Sequence, residues 1–251
     1  MDRPPSRGVR SMFALLGSAG VLWGAFTLPT FHSLVPKREV TARIMVDDRF
    51  KPGALARVQA RLDAETTPRV QHPDAARANA LVTLRASDEM MAHEGSADAD
   101  RAGEAETKVR ASLTQNPADS FLWLLLYSTA MARGGFDEAN IRFLKLSYGT
   151  GPLEGWIALR RNRLALAAFP MLSGPIQQST ISEFAALVES DFIEDAAISL
   201  TGVGWTQRET LLARLVQTDM ISREALAKRL ARDGVTVSVP GVEIDERWWR
   251  R

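Results

Sequence analysis

The sequence predicts an all-α protein with an N-terminal membrane anchor and a short extended C-terminal tail. An uncharged apolar segment follows a basic head, apolar residues then recur at three- and four-residue steps, and period-two alternation appears only in the tail. The predicted parts are a basic head at 1–10, a single transmembrane helix at 11–33, a juxtamembrane helix and linker at 34–73, an α-helical domain at 74–234 and the tail at 235–251.

Composition excludes several classes of function. The chain has 251 residues, a net charge of +1 and no cysteine. Disulfides, thiol catalysis and cysteine-ligated zinc or iron–sulfur sites are therefore excluded. A nearly neutral chain has no global positive field to attract nucleic acid, so we expect no nucleic-acid partner. The sequence contains no cofactor motif, and we predict no cofactor.

The N-terminal segment has the pattern of a membrane anchor. Ser11–Phe31 carries no charge and is about as long as a bilayer-spanning helix. Arginines precede it, and Lys37 and Arg38 follow it, so the positive-inside rule does not fix its orientation. Because a short basic head before a first apolar segment usually stays in the cytoplasm, we expect a single-pass protein of a bacterial inner membrane with its body in the periplasm.

Two other interpretations of this segment stay open. A cleaved secretory signal of a soluble periplasmic protein has the same basic head and apolar middle, although the sequence shows no convincing Ala-x-Ala cleavage site. A buried core helix is the other interpretation. Gly20 and Gly24 form one GxxxG spacing, which permits close helix approach but does not determine the oligomeric state.

Helix signals follow one another along the body. We predict helices at Lys51–Glu65, Ala75–His93, Arg101–Gln115, Phe121–Ala132, Asp137–Ser147, Leu153–Phe169, Ser173–Ser190, Phe192–Leu200, Trp205–Asp219 and Ile221–Gly234. Asp74 and Asp100 are the expected N-caps of the second and third of these, and Gly234 is the expected C-terminal cap of the last. The alternating residues after Gly234 are divided by a turn at Pro240, so we predict extended chain there.

A displacement of 34 residues relates two of these helices. The related positions, in each helix and just after its end, are Ala105, Val109, Ser112 and Pro117 for the first and Ala139, Phe143, Leu146 and Gly151 for the second. Trp123 lies in the helix that precedes the second of these. Together these residues resemble the tetratricopeptide repeat, whose unit has an early aromatic residue, small residues at the helix crossing and a terminal proline. The resemblance covers residues 86–156 and departs from the family at Tyr127 and Leu146, where small residues are usual.

The resemblance implies a right-handed array of helix pairs with a concave groove that binds a protein segment. We accordingly expect an adaptor and not an enzyme, bound to protein partners in or near the membrane. The arrangement is similar to accessory proteins of extracellular polysaccharide production. The alternatives are a plain antiparallel bundle for the fold and an α-helical cell-wall enzyme for the function. Such an enzyme needs a buried glutamate in an aromatic cleft, and the sequence contains no such pattern.

One candidate site for a partner lies in Trp156–Leu166. Arg160, Arg161 and Arg163 form a dense basic patch after Trp156. Guanidinium groups bind carboxylate and phosphate through paired hydrogen bonds, so this patch would dock an acidic partner. We expect charge reversal at Arg160 and Arg161 to weaken partner capture without unfolding the body. The alternative is a solvated helix face with an internal ion pair.

A second candidate site is the tryptophan pair Trp248 and Trp249, which arginines flank. The pair would rest at a membrane interface, anchor a partner, or fold back and cover an open end of the helical stack. No catalytic or metal-binding residue is predicted. The three histidines are isolated and form no metal-ligand spacing with a carboxylate.

Overall fold

A computed structural model describes residues 7–45, 48–51, 53–64, 72–94, 99–152 and 154–243. All regular secondary structure in these ranges is helical, which confirms the predicted all-α class. The chain divides into two compact units, Met1–Gln115 and Asn116–Arg251. The predicted helical domain, residues 74–234, includes the boundary between them.

In the first unit, the described residues form four helices. They are α1 (Arg7–Met45), α2 (Ala54–Ala64), α3 (Pro73–Glu94) and α4 (Ala99–Gln115). Helices α3 and α4 pack along each other, and α1 and α2 pack against α3. The buried residues are mostly small or branched, which lets the helix axes approach closely. They include Leu55, Ala78, Ala80, Leu81, Val82, Ala105 and Val109.

Helix α1 has two different halves. Near its C-terminal end, Thr41 and Ile44 are buried. From Ser11 to Trp23 every side chain is exposed, and the large apolar ones are 53% to 74% accessible. Across the described ranges, no helix reaches the length and hydropathy that crossing a bilayer requires.

The start of α3 differs from the prediction. The helix begins at Pro73, so Asp74 lies inside the first turn and is not the N-cap. His72 caps the helix instead, because its Nδ1 accepts a hydrogen bond from the Asp74 N–H at 3.2 Å. The Asp74 carboxylate pairs with Arg38 of α1 at 2.5 Å. Asp100 likewise lies within α4 and does not precede it.

The second unit contains seven α-helices within its described residues. They are α5 (Ser120–Gly134), α6 (Glu138–Thr150), α7 (Gly155–Ala167), α8 (Gly174–Glu189), α9 (Ile193–Thr201), α10 (Arg208–Arg214) and α11 (Met220–Arg232). Short 3-10 turns occur at Phe169–Met171, Trp205–Gln207 and Leu215–Gln217. The single helix predicted at Trp205–Asp219 is therefore a short α10 between two such turns. Helix α8 is central and packs against α6, α7, α9, α10 and α11.

The C-terminal stretch after α11 is neither helix nor strand in its described part. Gly234, with φ of +72°, ends the helix in the left-handed region, and the Val235 N–H donates to the Leu230 carbonyl at 3.0 Å. The predicted glycine cap is thus confirmed. Val235, Val237 and Val239 pack against the apolar core of α8–α11, so the alternation in the sequence does mark one buried side.

The 34-residue displacement does not place equivalent side chains in equivalent surroundings. Ala105 and Ser112 of α4 are buried, whereas Ala139 and Leu146, their counterparts in α6, are exposed. Only Phe143 is buried like its counterpart in α4. The helix pairs α3–α4 and α5–α6 are therefore helical hairpins that pack differently, each within its own unit.

Candidate functional site

Helix α7 carries the predicted basic patch, but its arginines point to different sides. Arg161 has no exposed surface, Arg160 is half-buried and Arg163 is exposed. Successive residues of a helix lie about 100° apart around its axis, so neighbouring arginines cannot share one face. The prediction that Arg161 belongs to a docking surface is therefore wrong.

The buried guanidinium of Arg161 forms an ion pair with Glu183 of α8. Nε and Nη2 donate to the same carboxylate oxygen, Oε1, at 2.9 and 2.5 Å. The other donors reach the end of α6: Nη1 donates to the Ser147 carbonyl at 2.7 Å and Nη2 to the Gly151 carbonyl at 3.0 Å. One side chain thus ties α7 to α8 and to the last turn of α6.

Tyr148 completes the surroundings of Glu183. Its hydroxyl donates to the second carboxylate oxygen, Oε2, at 2.9 Å. The Arg161 guanidinium carbon lies 4.3 Å from the centroid of the phenol ring. Burial raises the pKa of Tyr148 well above its ordinary value, and the nearby charge of Glu183 raises it further. The phenol therefore remains protonated and acts as a fixed hydrogen-bond donor.

The network extends to α5 through Ser120. Its hydroxyl donates to the Ser147 carbonyl at 2.9 Å and lies 3.2 Å from Nη1 of Arg161. On α7, the Asn162 amide donates to the Thr180 carbonyl at 2.8 Å. Helices α5, α6, α7 and α8 therefore meet at one place. The buried polar cluster consists of Ser120, Ser147, Tyr148, Arg161, Asn162, Thr180 and Glu183.

A buried glutamate beside a tyrosine is also the pattern expected of a glycan-cleaving acid, so its access to solvent matters. Burial raises the pKa of Glu183, while Arg161 and the Tyr148 hydrogen bond oppose that shift. Glu183 is 6% exposed, and each of its oxygens already accepts a hydrogen bond from within the protein. In this arrangement the carboxylate holds helices together and is largely shielded from solvent.

The outer face of α7 consists of Trp156, Arg160 and Arg163, at steps of four and three residues. The Trp156 ring lies 4.9 Å from the ring of Phe121 on α5, and Trp156 keeps 37% of its surface exposed. The Arg160 guanidinium lies 5.7 Å from the same Phe121 ring. The structure therefore brings together three of the four residues predicted on this helix, at a surface formed by α7 and α5. Trp248 and Trp249 lie outside the described residues.

The acceptor of the ion pair, Glu183, was not predicted from the sequence. Glu183 follows Ser182 and directly precedes the apolar stretch Phe184–Val188 of α8, and both Ile181 and Phe184 beside it are buried. A single carboxylate beside such a stretch must be paired when the helix is buried, because an isolated buried charge is costly. That signal predicts a cationic partner, although it does not say which arginine supplies it.

No protein-family model matches the sequence, and no curated protein and no solved structure matches it. Within the described ranges, no group of three or more histidine, aspartate or glutamate side chains is placed to hold a metal ion. The outer face of α7 and the buried polar cluster beneath it thus form the candidate site.

Proposed function

We propose that the chain is a membrane-anchored helical adaptor of a bacterial envelope assembly, and that the outer face of α7 binds an acidic segment of a partner protein. The proposal depends on the observation that one side of α7 is buried and the other side faces outward. Arg161 fixes the helix from inside, while Trp156, Arg160 and Arg163 face outward. A surface that is held rigid before binding loses little conformational freedom on binding.

The residue types of this face support a protein partner. Tryptophan and arginine are enriched among the residues that contribute most to binding at protein interfaces. Trp156 offers a large ring that already rests on Phe121, and Arg160 and Arg163 offer guanidinium groups that pair with carboxylates. An acidic segment with an apolar residue to lie against Trp156 matches this combination.

The N-terminal half of α1 supports attachment to a membrane. Phe13, Leu15 and Leu22 are 64%, 72% and 64% exposed, and the sequence has no charge from Ser11 to Phe31. A contiguous apolar surface of this kind is normally covered by lipid or by protein. On the uncharged, apolar sequence alone, and although no described helix is long and apolar enough to cross a bilayer, we place the anchor at residues 11–33, with one crossing of the inner membrane and the body in the periplasm. The proposal does not require the helix pairs to form a tetratricopeptide-like array.

The docking proposal is tested with a charge-matched pair of double variants in native membranes. Arg160→Glu with Arg163→Glu reverses the charge of the outer face. Lys145→Glu with Arg232→Glu changes the charge at two other exposed positions by the same amount. A photo-crosslinker at Ala167, one turn beyond Arg163, should trap a defined partner in the wild type and in the control. The outer-face variant should lose that product, and high salt should weaken it.

Equal cross-linking in both double variants, with circular dichroism unchanged, would remove the docking proposal. The membrane part is tested separately by alkaline carbonate extraction and by fusing alkaline phosphatase after residue 35. Extraction of an intact chain into the soluble fraction would contradict the anchor, and a shortened mature N-terminus would indicate a cleaved signal. Release of soluble fragments from peptidoglycan by the purified chain would favour the cell-wall enzyme.

A further inference from the structure

Helix α9 lies beside α7 and presents the opposite charge. Both helices pack on α8 and on each other. Their N-terminal ends are close, because a Cβ on Gly155 would lie 3.4 Å from Cε2 of Phe192. The outer face of α7 and the exposed side of α9 therefore adjoin on the surface of the second unit.

The exposed side of α9 carries Glu194, Asp195 and Ile198, which we call the acidic face. Steps of four and three residues place Ile198 one turn beyond both carboxylates, on the same side of the helix. Ile198 is 52% exposed. Glu194 pairs with Arg229 at 2.5 Å, whereas Asp195 has no ion pair within the described ranges. The helix dipole favours carboxylates in a first turn, but it does not explain an exposed isoleucine beside them.

We propose that the acidic face of a second copy of this chain binds the outer face of α7. This inference rests on the proposed function, because it takes the outer face of α7 as the docking surface. The acidic face supplies carboxylates for the guanidinium groups and an apolar side chain for Trp156. Arg163 is exposed and, like Asp195, has no ion pair in the described part of the chain. The net charge of +1 does not hold two copies apart.

The order of residues along the two helices determines the direction of the contact. On α7 the tryptophan comes before the arginines, and on α9 the carboxylates come before the isoleucine. Trp156 and Arg160 lie about 6 Å apart along the axis of α7, and Glu194 and Ile198 lie about 6 Å apart along α9. When the two helices run antiparallel, Ile198 therefore meets Trp156 while the carboxylates meet the arginines. Ala167, at the far end of α7, then lies near the start of α9 of the second copy.

The contact is tested by photo-cross-linking between two full-length copies with different affinity tags in native membranes. One copy carries the photo-crosslinker at Ala167. The expected product contains both tags, and mass spectrometry should place the cross-link in the first half of α9. A product with another protein and without the second copy would overturn this inference and leave the docking proposal intact. The absence of any product would overturn both.

A charge exchange tests the same contact without relying on the crosslinker position. Arg163→Glu and Asp195→Arg, each introduced alone into both copies, place like charges in contact and should each lower the yield of the two-copy product about fivefold. Both substitutions in the same chain restore opposite charges, so the yield should return to that of the wild type. A combined variant with a yield as low as the single variants would overturn the proposal.

Glu138→Arg is the matched control for Asp195→Arg, because Glu138 is an exposed carboxylate in the first turn of α6. It should leave the yield unchanged, and its combination with Arg163→Glu should not restore the product. Circular dichroism of each purified variant checks that the helices are retained. Equal yields in every variant would also overturn the proposal, because they would assign the association to another surface, such as α1.

Discussion

Arg161 and Glu183 form a buried ion pair in which Nη2 and Oε1 are 2.5 Å apart. The two residues lie 22 positions apart in sequence, on α7 and α8. Both charges have lost their hydration, so their stability depends on each other and on the neutral donors and acceptors around them. This dependence makes the fold of the second unit sensitive to the loss of either residue.

Replacing one member of the pair should destabilise the protein strongly. Arg161→Met leaves the Glu183 carboxylate buried without a counter-ion, and we expect the free energy of unfolding to fall by about 3–5 kcal/mol. Urea unfolding followed by circular dichroism measures this loss. Arg163→Ala, exposed on the same helix, is the control and should change stability by no more than about 0.5 kcal/mol. Because Arg161 is buried against Glu183, we also expect charge reversal at Arg161 to destabilise the protein, in contrast to the expectation from the sequence alone.

The double variant Arg161→Met with Glu183→Leu distinguishes a buried pair from general loss of packing. Without either charge, no ion remains unpaired, so the double variant should be more stable than Arg161→Met alone. If the loss of stability in the double variant equals the sum of the losses in Arg161→Met and in Glu183→Leu, the ion pair is not the source of the sensitivity.

The two tyrosines of the chain should respond differently to loss of their hydroxyls. Tyr148→Phe removes the donor to Glu183 and should cost about 1.5–3 kcal/mol, the usual range for a hydrogen bond to a charged group. The Tyr127 hydroxyl is buried and has no hydrogen-bond partner among the described residues. Tyr127→Phe should therefore be neutral or stabilise by up to about 1 kcal/mol. Thermal unfolding of both variants tests this, and an equal loss would contradict it.

Stability should decrease in alkaline solution because of the same tyrosines. Burial raises the pKa of both Tyr127 and Tyr148 above the ordinary value of 10.0. The unfolded chain then loses protons first, so the free energy of unfolding is fully retained below that pH and falls as pH rises beyond it. The slope is about 1.4 kcal/mol per pH unit for each tyrosine.

Two measurements check this pH dependence. Tyrosinate absorbance of the folded protein should stay low just above the ordinary tyrosine pKa and should rise fully in urea. Tyr148→Phe should reduce the slope of stability against pH by about half. An unchanged slope in that variant would show that Tyr148 ionises without disturbing the buried polar cluster.

Two glycines at the end of α6 should give opposite results. A Cβ on Gly151 would lie 2.7 Å from Cβ of Ser120, whereas a Cβ on Gly149 would meet no atom within 4 Å. Gly151→Ala should therefore destabilise by about 1–3 kcal/mol through overpacking. Gly149→Ala should stabilise by up to about 1 kcal/mol, since alanine favours the helix. Urea denaturation of the pair tests whether α6 approaches α5 as closely as described.

Much of the helical structure could be predicted from the sequence, because helix signals are local. The predicted helix at Phe121–Ala132 corresponds to α5, and Asp137 caps α6 through a hydrogen bond from the Ala139 N–H at 2.9 Å. Local signals gave a wrong N-cap where the side chain binds a residue that is distant in sequence. Aspartate is a residue type that is preferred at N-caps, yet the carboxylate of Asp74 binds Arg38 from another helix.

The candidate site could be predicted only in part. Trp156, Arg160 and Arg163 share the outer face of α7, and their spacing alone predicts that. Their neighbour Arg161 carries the same side chain, but its environment is decided by α8 and α6. Glu183 was not predicted at all, because a carboxylate in a sequence does not reveal which cation approaches it.

The amino-acid order was enough to predict that this chain is helical, that it lacks cysteine chemistry, and that one segment near its N-terminus is uncharged and apolar. These properties follow from residue type and from spacing along the chain. Which arginine of α7 is buried with Glu183, and which arginines face outward, became clear only from the folded chain. Burial and pairing depend on atoms brought together from distant positions, so the 3.6-residue periodicity of a helix fixes which residues share a face but not which face the core covers.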